Sequence, residues 1–303
     1  MASGKRYKTG NIERSQLKWG YFFIGPCIFG LVIFNFGPMI FSLFMGLTQW
    51  DIIRAPKFIG LGNYLEMLKD PLIGTSLRVT IYYTILSVPL ITIVMFLIAS
   101  LLNTGVRGIS VFRTIFYIPS IVPAVVSAAI WLYIYDPMFG LLNSVLRVFG
   151  LPAQPFIFSR EGVIPGLAVI AIWASGNTVI VYLAGLQGIS RELYEAADID
   201  GANPFQRFMR ITVPLMTPVI FFNMIMAMIT ALQTFTQAFI MTRGGPNNAS
   251  LFYALLLYRT AFQYQRMGYA SAMSWLLLVI IAGLTYIVFR TSDKWVFYEN
   301  KTD

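Results

Sequence analysis

The chain has 303 residues, of which 57% are hydrophobic and 12% are charged, and its mean hydropathy is +0.69. Soluble domains carry about 25% charged residues, so a lipid bilayer is the expected solvent for this chain. The absence of histidine and the single cysteine exclude Ser-His and Cys-His catalysis, most metal sites and any disulfide within the chain. The net charge of +9 does not indicate nucleic-acid binding, because the cations flank apolar stretches rather than forming one patch.

Six apolar stretches are long enough to cross a bilayer, which takes about 20 helical residues. They lie near residues 21–47, 79–102, 114–135, 164–186, 214–240 and 269–289. The first stretch is too long for the core of a signal peptide and lacks a small-x-small cleavage site, so we expect it to be retained. The sequence predicts an all-α integral membrane protein, with a six-helix domain (21–290) between an N-terminal segment (1–20) and a C-terminal tail (291–303).

The Lys and Arg residues predict which side of the membrane each segment occupies. Most of them fall in the N-terminal segment, the loop 103–113, the loop 187–213 and the C-terminal tail. Cytoplasmic segments of membrane proteins are enriched in Lys and Arg. Both termini and these two loops are therefore expected in the cytoplasm.

Three segments expected on the outer side have patterns of their own. The residues "LGNYLEMLKD" (61–70) predict a short helix with Asn63 at its N-cap. The residues "TRGGPNNAS" (242–250) predict a turn. In "GLLNSVLRVFG" (140–150), apolar side chains share one helical face, which is typical of a helix at the membrane interface. These side chains are Leu141, Leu142, Val145, Leu146 and Phe149.

The fourth and fifth stretches are separated by a charged segment that reads "RELYEAADIDGANPFQRFMRITVP" (191–214). Ser190 is positioned to cap a helix at its start. The residues that share one face of this helix are Leu193, Ala196 and Ala197. Asp200 and Gly201 then end the helix, since glycine allows the backbone conformation that a turn needs.

A second helix is predicted to follow this turn. Asn203 suits its N-cap and Pro204 its first helical position. Phe205, Phe208 and Met209 then form a second apolar face. The two helices predict an elbow with an apolar ridge and a charged rim, which favours a protein-docking element. The alternative is a solvated loop whose charges only keep it out of the lipid.

At this segment the chain resembles the permease subunits of binding-protein-dependent ABC importers. Their signature is E-A-A-x-x-x-G, nine residues, then I-x-L-P, and the chain is similar to it at Glu195, Ala196, Ala197, Gly201, Ile211 and Pro214, with Val213 in place of Leu. The resemblance implies the type I ABC importer permease fold, with 190–213 as a cytoplasmic coupling-helix loop that sits in a groove of an ATPase. The residues it implies for ATPase coupling are Glu195, Ala196, Ala197, Asp198, Gly201, Ala202, Phe205, Arg207, Ile211 and Pro214.

Other segments resemble the carbohydrate-uptake members of this family. They are "GPMIFSLFMGLTQWD" (37–51), "FIGLGNYLEML" (58–68), "FYIPSIVPAVVSAAIW" (116–131), and "TRGGPNNAS" followed by "GYASA" (268–272). The GLGNY segment is similar to the first of the two permeases in maltose, multiple-sugar and glycerol-phosphate systems. The resemblance therefore implies an importer of a sugar or oligosaccharide.

The same resemblance implies partners and a location. The expected partners are a second, homologous permease, two copies of a cytoplasmic ABC ATPase and an extracytoplasmic sugar-binding protein, in a bacterial or archaeal cytoplasmic membrane. ATP and Mg²⁺ are expected on the ATPase. This chain has no G-x-x-x-x-G-K-[ST] motif, so it is expected to bind no cofactor and no metal and to catalyse no reaction.

Polar residues inside the apolar stretches mark a candidate substrate pathway. The candidates are Ser120, Ala124, Ser127, Trp131, Gly176, Asn177, Tyr182, Thr230, Gln233, Thr234 and Gln237. In the fifth stretch Asn223, Thr230, Thr234 and Gln237 recur at helical spacing. Hydrogen bonding between membrane helices explains such residues equally well. Pro119 and Pro123 are expected to loosen the third helix beside a cavity, or simply to kink it.

Ionisable residues are nearly absent from the interiors of the stretches. Ion-coupled transporters usually need intramembrane carboxylates or histidines, so a separate ATPase is the expected energy source and a neutral substrate is favoured. An anionic sugar would have to be held by backbone dipoles or by the partner permease. Two other functions stay open: a permease of the same family for a glycerol phosphate or an amino acid, and a membrane-embedded enzyme.

Overall fold

The computed structural model describes residues 9–297, so the predicted N-terminal segment and C-terminal tail are covered only in part. Lys5, Arg6, Lys8 and Lys301, on which the predicted orientation partly rests, lie outside the described residues. The described chain is predominantly helical. Its α-helices are α1 (Thr9–Gly30), α2 (Gly37–Gly46), α3 (Gly62–Met67), α4 (Pro71–Leu102), α5 (Ile109–Ile121), α6 (Ala124–Ile134), α7 (Leu141–Val148), α8 (Val163–Ala174), α9 (Gly176–Gln187), α10 (Arg191–Ile199), α11 (Pro204–Arg207), α12 (Val213–Leu232), α13 (Tyr253–Tyr258) and α14 (Met267–Ser292).

Shorter elements connect these helices. π-Helical turns are Leu31–Phe36, Phe208–Thr212, Ala238–Thr242 and Arg259–Gln263, and a 3₁₀ turn is Phe156–Phe158. Two short strands, β1 (Thr48–Gln49) and β2 (Lys57–Phe58), pair antiparallel with Thr48 opposite Phe58. The segment 242–250 forms the predicted turn.

Within residues 9–297, four helical segments are long and apolar enough to cross a membrane. They are Gln16–Gly46, Pro71–Leu102, Pro204–Leu232 and Met267–Ser292. Two helix pairs pass the same test only together: α5 with α6, bent by 102°, and α8 with α9, bent by 51°. The described part of the chain therefore has four candidate spans, or six if each bent pair is one span, and these overlap the six predicted stretches.

The third predicted stretch, 114–135, is wrong as a single continuous helix. α5 ends at Ile121, Val122 is extended with φ −67° and ψ 125°, and α6 begins at Ala124. Pro123 explains the break, because proline disfavours the helical conformation of the residue before it and has no N–H to donate. The result is a near right-angle turn rather than a kink.

The fifth predicted stretch also differs from the observed helix. The helical segment begins at Pro204, well before the predicted start at 214, and ends at Leu232 instead of reaching 240. Gln233 turns the chain, and Thr234 is not helical. Thr234 and Gln237 therefore do not continue the helical spacing of the residues before them, which corrects that prediction.

The chain divides into two compact units, and the first comprises Met1–Glu66 and Thr260–Trp275. Within it, the predicted N-cap role of Asn63 is wrong, because this residue lies inside α3. Its Nδ2 instead donates to the carbonyl oxygens of Gly46, at 2.8 Å, and Thr48, at 2.9 Å. This amide is 3% exposed and joins the end of α2 to the start of the hairpin.

The second unit comprises Met67–Arg259 and Leu276–Asp303. Its α4 is started by Asp70, whose Oδ1 accepts from the N–H of Leu72 at 2.8 Å, with proline at the first helical position. One hydrophobic core cluster lies on α4, α9 and the start of α12. Its buried members are Ile91, Met95, Phe96, Ala99, Leu102, Val179, Tyr182, Leu183, Leu186 and Met216.

Candidate functional site

The segment 190–213 has the shape that its sequence predicts. Ser190 Oγ accepts from the N–H of Glu192 at 3.3 Å and caps α10. Gly201 has φ +73°, the left-handed conformation that favours glycine. Asn203 caps α11 through a capping box: its Oδ1 accepts from Gln206 N–H, and Gln206 Oε1 accepts from Asn203 N–H, both at 2.9 Å. The helices α10 and α11 are therefore joined by a tight turn. We call these two helices and their turn the elbow.

Side-chain and backbone contacts fix the angle of the elbow. The guanidinium of Arg207, on α11, pairs with the carboxylate of Asp198, on α10. Tyr194 Oη and Thr212 Oγ1 are hydrogen-bonded at 2.9 Å, and the N–H of Ala202 donates to Ala197 O at 2.9 Å. Arg207 and Asp198, both predicted for ATPase coupling, therefore also stabilise the shape of the elbow.

The elbow exposes apolar side chains on both helices. Ile199 is 87% exposed and Phe205 68% exposed, and Leu193, Ala196 and Met209 are exposed as well. We call these five residues the elbow surface. Sequence reasoning missed Ile199, although an isoleucine between two aspartates at the end of a helix was a usable signal. An exposed apolar patch rimmed by charges is typical of a protein-interaction surface.

Phe208 does not belong to this surface, which corrects the predicted second face. Its ring stacks on Phe96 of α4, with ring centroids 5.7 Å apart. The reason is that α11 continues through a π-helical turn into α12, so this side of the helix faces the core. Ile211 and Pro214, also predicted for coupling, are half-buried on the same continuous helix.

The second candidate site is a cavity of about 580 Å³ in the second unit. Its polar lining consists of Ser175, Asn177, Thr178, Asn223, Thr230, Gln233, Thr234, Thr236 and Gln237. Its other lining residues are Tyr83, Ile91, Ala171, Ala174, Val181, Phe222, Met226, Ala227, Ala231 and Phe235. Among these described residues there is no Asp, Glu, Lys or Arg, so the cavity presents amides, hydroxyls and aromatic rings.

Five of the predicted pathway residues meet at this cavity. They are Asn177, Thr230, Gln233, Thr234 and Gln237. Two helix breaks bring them together, one at Ser175 between α8 and α9 and one after Leu232. Sequence reasoning missed Tyr83, whose stretch supplied no candidate, and missed Thr178 and Phe235 because it treated the helices as continuous.

Six other predicted pathway residues lie outside the cavity. Three of them are on α6: Ala124 is exposed, whereas Ser127 and Trp131 are buried. Ser120 belongs to α5, and its Oγ donates to Tyr117 O at 2.7 Å within the same helix.

The remaining two, on α9, have packing roles. Tyr182 is fully buried, with its ring centroid 5.5 Å from that of Phe96. Gly176 lies against α5, where an added Cβ would be 2.0 Å from the carbonyl oxygen of Phe116. At these two positions the structure shows helix packing.

The chain matches the family described as "Binding-protein-dependent transport system inner membrane component" over residues 99–297. It is 41% identical to the probable ABC transporter permease protein YesP of Bacillus subtilis (strain 168), covering 98% of this chain and 97% of that protein. It is 32% identical to the trehalose/maltose transport system permease protein MalF of Thermococcus litoralis, covering 93% of this chain and 96% of that protein. It is 31% identical to the sn-glycerol-3-phosphate transport system permease protein UgpA of Agrobacterium fabrum (strain C58), covering 92% of this chain and 96% of that protein.

A solved structure shares the fold. It is a bacterial ABC transporter involved in the import of the acidic polysaccharide alginate, with a TM-score of 0.81 and 24% identity over 94% of this chain and 98% of that chain. This likeness confirms the predicted helical fold, and the family match confirms the permease class. The chain is therefore a multi-pass membrane protein of the family of binding-protein-dependent transport system inner membrane components, the permease subunits of ABC transporters.

Proposed function

We propose that this chain is a permease subunit of an ATP-driven importer that takes up a sugar or oligosaccharide delivered by an extracytoplasmic binding protein. The observation that carries the substrate class is the cavity lined by amides, hydroxyls and aromatic rings. Its volume of about 580 Å³ lies in the range of small-molecule sites, about 300–1,000 Å³.

The cavity lining suits a polyhydroxylated solute. The amides of Asn177, Gln233 and Gln237 can each donate to and accept from sugar hydroxyls, and Phe222 and Phe235 add flat apolar surface for a pyranose face. A glycerol phosphate is the second candidate, because one relative is named for it. Proteins hold phosphate groups mainly through Arg, Lys and backbone N–H groups, and this lining contains neither cation, so a sugar is favoured.

A second permease would complete the pathway, and two copies of an ABC ATPase would supply the energy. ATP and Mg²⁺ would bind to the ATPase and not to this chain. The elbow surface, with its exposed Ile199 and Phe205, would sit in a groove of the ATPase on the cytoplasmic side. The excess of Lys and Arg on that side supports this orientation.

The geometry supports a mechanical form of coupling. The helix that begins in the elbow at Pro204 runs without interruption to Leu232, over 29 residues, which is about 43 Å of helix. Its far end lines the cavity through Thr230. Phe208 joins the same helix to α4, which contributes Tyr83 to the cavity. A displacement of the elbow by the ATPase would therefore reach the cavity through rigid, packed helices.

Transport by the reconstituted complex tests the proposal. The chain would be placed in proteoliposomes with its partner permease, ATPase and binding protein, and ATP-dependent accumulation of labelled oligosaccharides and glycerol phosphates would be measured. We expect accumulation of an unmodified sugar. Accumulation of glycerol phosphate alone would support the second candidate, and chemical conversion of the solute would indicate an enzyme.

A pair of variants tests the cavity in the same assay. Gln237→Ala removes an amide from the cavity, and we expect about a tenfold loss of uptake, the effect of one good hydrogen bond to substrate. Gln154→Ala removes an exposed amide elsewhere and serves as the control. Equal uptake by both variants would contradict the assignment of the cavity.

A further inference from the structure

A second, smaller cavity of about 350 Å³ lies between α5 and α9 and shares no lining residue with the larger one. Its polar side chains are Arg113, Thr114 and Tyr117 of α5 and Gln187 of α9. The rest of its lining consists of aliphatic residues of α9, including Leu183 and Ile180. The cavity therefore combines a cationic, hydrogen-bonding end with an apolar floor.

Arg113 brings a charge to this cavity without a counter-charge. Its Nη2 donates to the carbonyl oxygen of Leu102 at 2.9 Å, and its buried Nε has no hydrogen-bond partner. Among the side chains described, those of residues 16–297, the salt bridges are Arg54–Asp51, Arg207–Asp198 and Arg266–Glu66, so none includes Arg113. A half-buried guanidinium without an anion is costly, which points to an anionic ligand.

The neighbouring groups also suit an anion. The Tyr117 hydroxyl can donate a hydrogen bond, and so can the amide of Gln187. No carboxylate is found among the described residues of the lining. Arg113 and Tyr117 are four residues apart on α5, so they share one face of that helix.

The depth of the cavity distinguishes a lipid from other anions. Arg113 and Gln187 lie next to the ends of the predicted stretches 114–135 and 164–186, on the same side of the membrane in either orientation, where headgroups are found. Leu183 and Ile180 are four and seven residues before Gln187, so they continue the same face toward the membrane interior. A polar end at headgroup depth followed by an apolar track matches an amphiphile.

We propose that this cavity binds the phosphate of an anionic phospholipid, with the phosphate at Arg113, Tyr117 and Gln187 and an acyl chain along Leu183 and Ile180. The site depends on the location of the chain in a membrane and not on the transported solute. A transporter with a different substrate would keep it.

Native mass spectrometry and thermal melting of the purified full transporter test this site. Phosphatidylglycerol, phosphatidylcholine and soluble glycerol 3-phosphate would each be added to the delipidated complex. For the unchanged chain we expect phosphatidylglycerol alone to raise the melting temperature and to remain bound. Arg113→Gln should weaken phosphatidylglycerol retention about tenfold or more, the effect of a charge-assisted hydrogen bond. Arg107→Gln removes an exposed cation from the turn just before α5 and should leave retention unchanged.

Because Arg113 also holds the end of α4, a second variant keeps the test independent of folding. Gln187→Leu removes one donor and leaves the bond from Arg113 to Leu102 in place, and it should weaken retention several-fold. Retention unchanged in both the Arg113 and the Gln187 variants would overturn the site. If glycerol 3-phosphate raised the melting temperature as much as phosphatidylglycerol, the site would bind a soluble phosphate and the lipid assignment would be overturned. If phosphatidylcholine had the same effect as phosphatidylglycerol, the requirement for a net negative charge would be overturned.

Discussion

The loss of stability expected for Gly176→Ala follows directly from interatomic distances in the structure. A Cβ at this position would lie 2.0 Å from the carbonyl oxygen of Phe116, 3.0 Å from its carbonyl carbon and 3.2 Å from Cα of Tyr117. All three atoms belong to the backbone of α5, so no side-chain rotation relieves the clash. Ordinary contact begins at 3.4 Å, so α5 and α9 would have to separate by about 1.4 Å.

The magnitude follows from this displacement. Overpacking a well-packed interior costs about 1–3 kcal/mol, and a backbone clash belongs at the upper end of that range. A loss of about 3 kcal/mol lowers the folded-to-unfolded ratio by roughly 100-fold and the melting temperature by about 5 °C, since the unfolding entropy is about 2.1 cal/mol/K per residue. Alanine has a higher helix propensity than glycine, and this difference offsets at most about 1 kcal/mol of the loss of stability.

The assay is thermal melting of the purified transporter carrying each variant, with uptake measured on the same preparations. Gly74→Ala is the matched control, because Gly74 is also helical and a Cβ there meets nothing within 4 Å; this variant should be neutral or slightly more stable. If Gly176→Ala melted like the unchanged protein but lost uptake, Gly176 would be a pathway residue and the packing argument would be refuted.

Three further substitutions have defined outcomes. In the permease purified without its ATPase, Phe208→Ala should lower stability by about 2–3 kcal/mol through loss of the stack of its half-buried ring on Phe96, whereas Phe205→Ala, at a site exposed in this chain, should change melting little; equal shifts would contradict the corrected orientation. Asn203→Ala should cost about 1 kcal/mol by removing the capping box, measured by melting, and no change would refute the cap. Val148→Trp places an indole at an 83% exposed position of α7, and brominated lipids should quench its fluorescence if α7 lies at the membrane interface.

The elbow was predictable because its signals are local. The capping pattern of Ser190 and Asn203, the glycine at 201 and the proline at 204 act over a few residues, and the structure has all of them in their predicted roles. The direction of Phe208 was not predictable, because it depends on α11 continuing into α12 and on Phe96, which is distant in sequence.

The cavity was predictable only in part, for the same physical reason. Polar residue types pointed to Asn177, Thr230 and Gln233, but grouping them required the helix breaks at Ser175 and after Leu232. A hydropathy profile treats each apolar stretch as one continuous helix and does not detect such breaks. The 102° bend of the third stretch had a visible cause in Pro123, whereas its size depends on distant neighbours, since α5 packs on α9 and α6 packs on the segment Ala238–Thr242.

Site-specific photo-crosslinking can test whether the elbow surface docks on the ATPase. A photoreactive amino acid would replace Ile199 in the assembled transporter, and a second version would carry it at Leu68, which is 84% exposed in a segment predicted to face outward. We expect a crosslink from position 199 to the ATPase chain and none from position 68. No crosslink from 199 to the ATPase, or an equal one from 68, would contradict it.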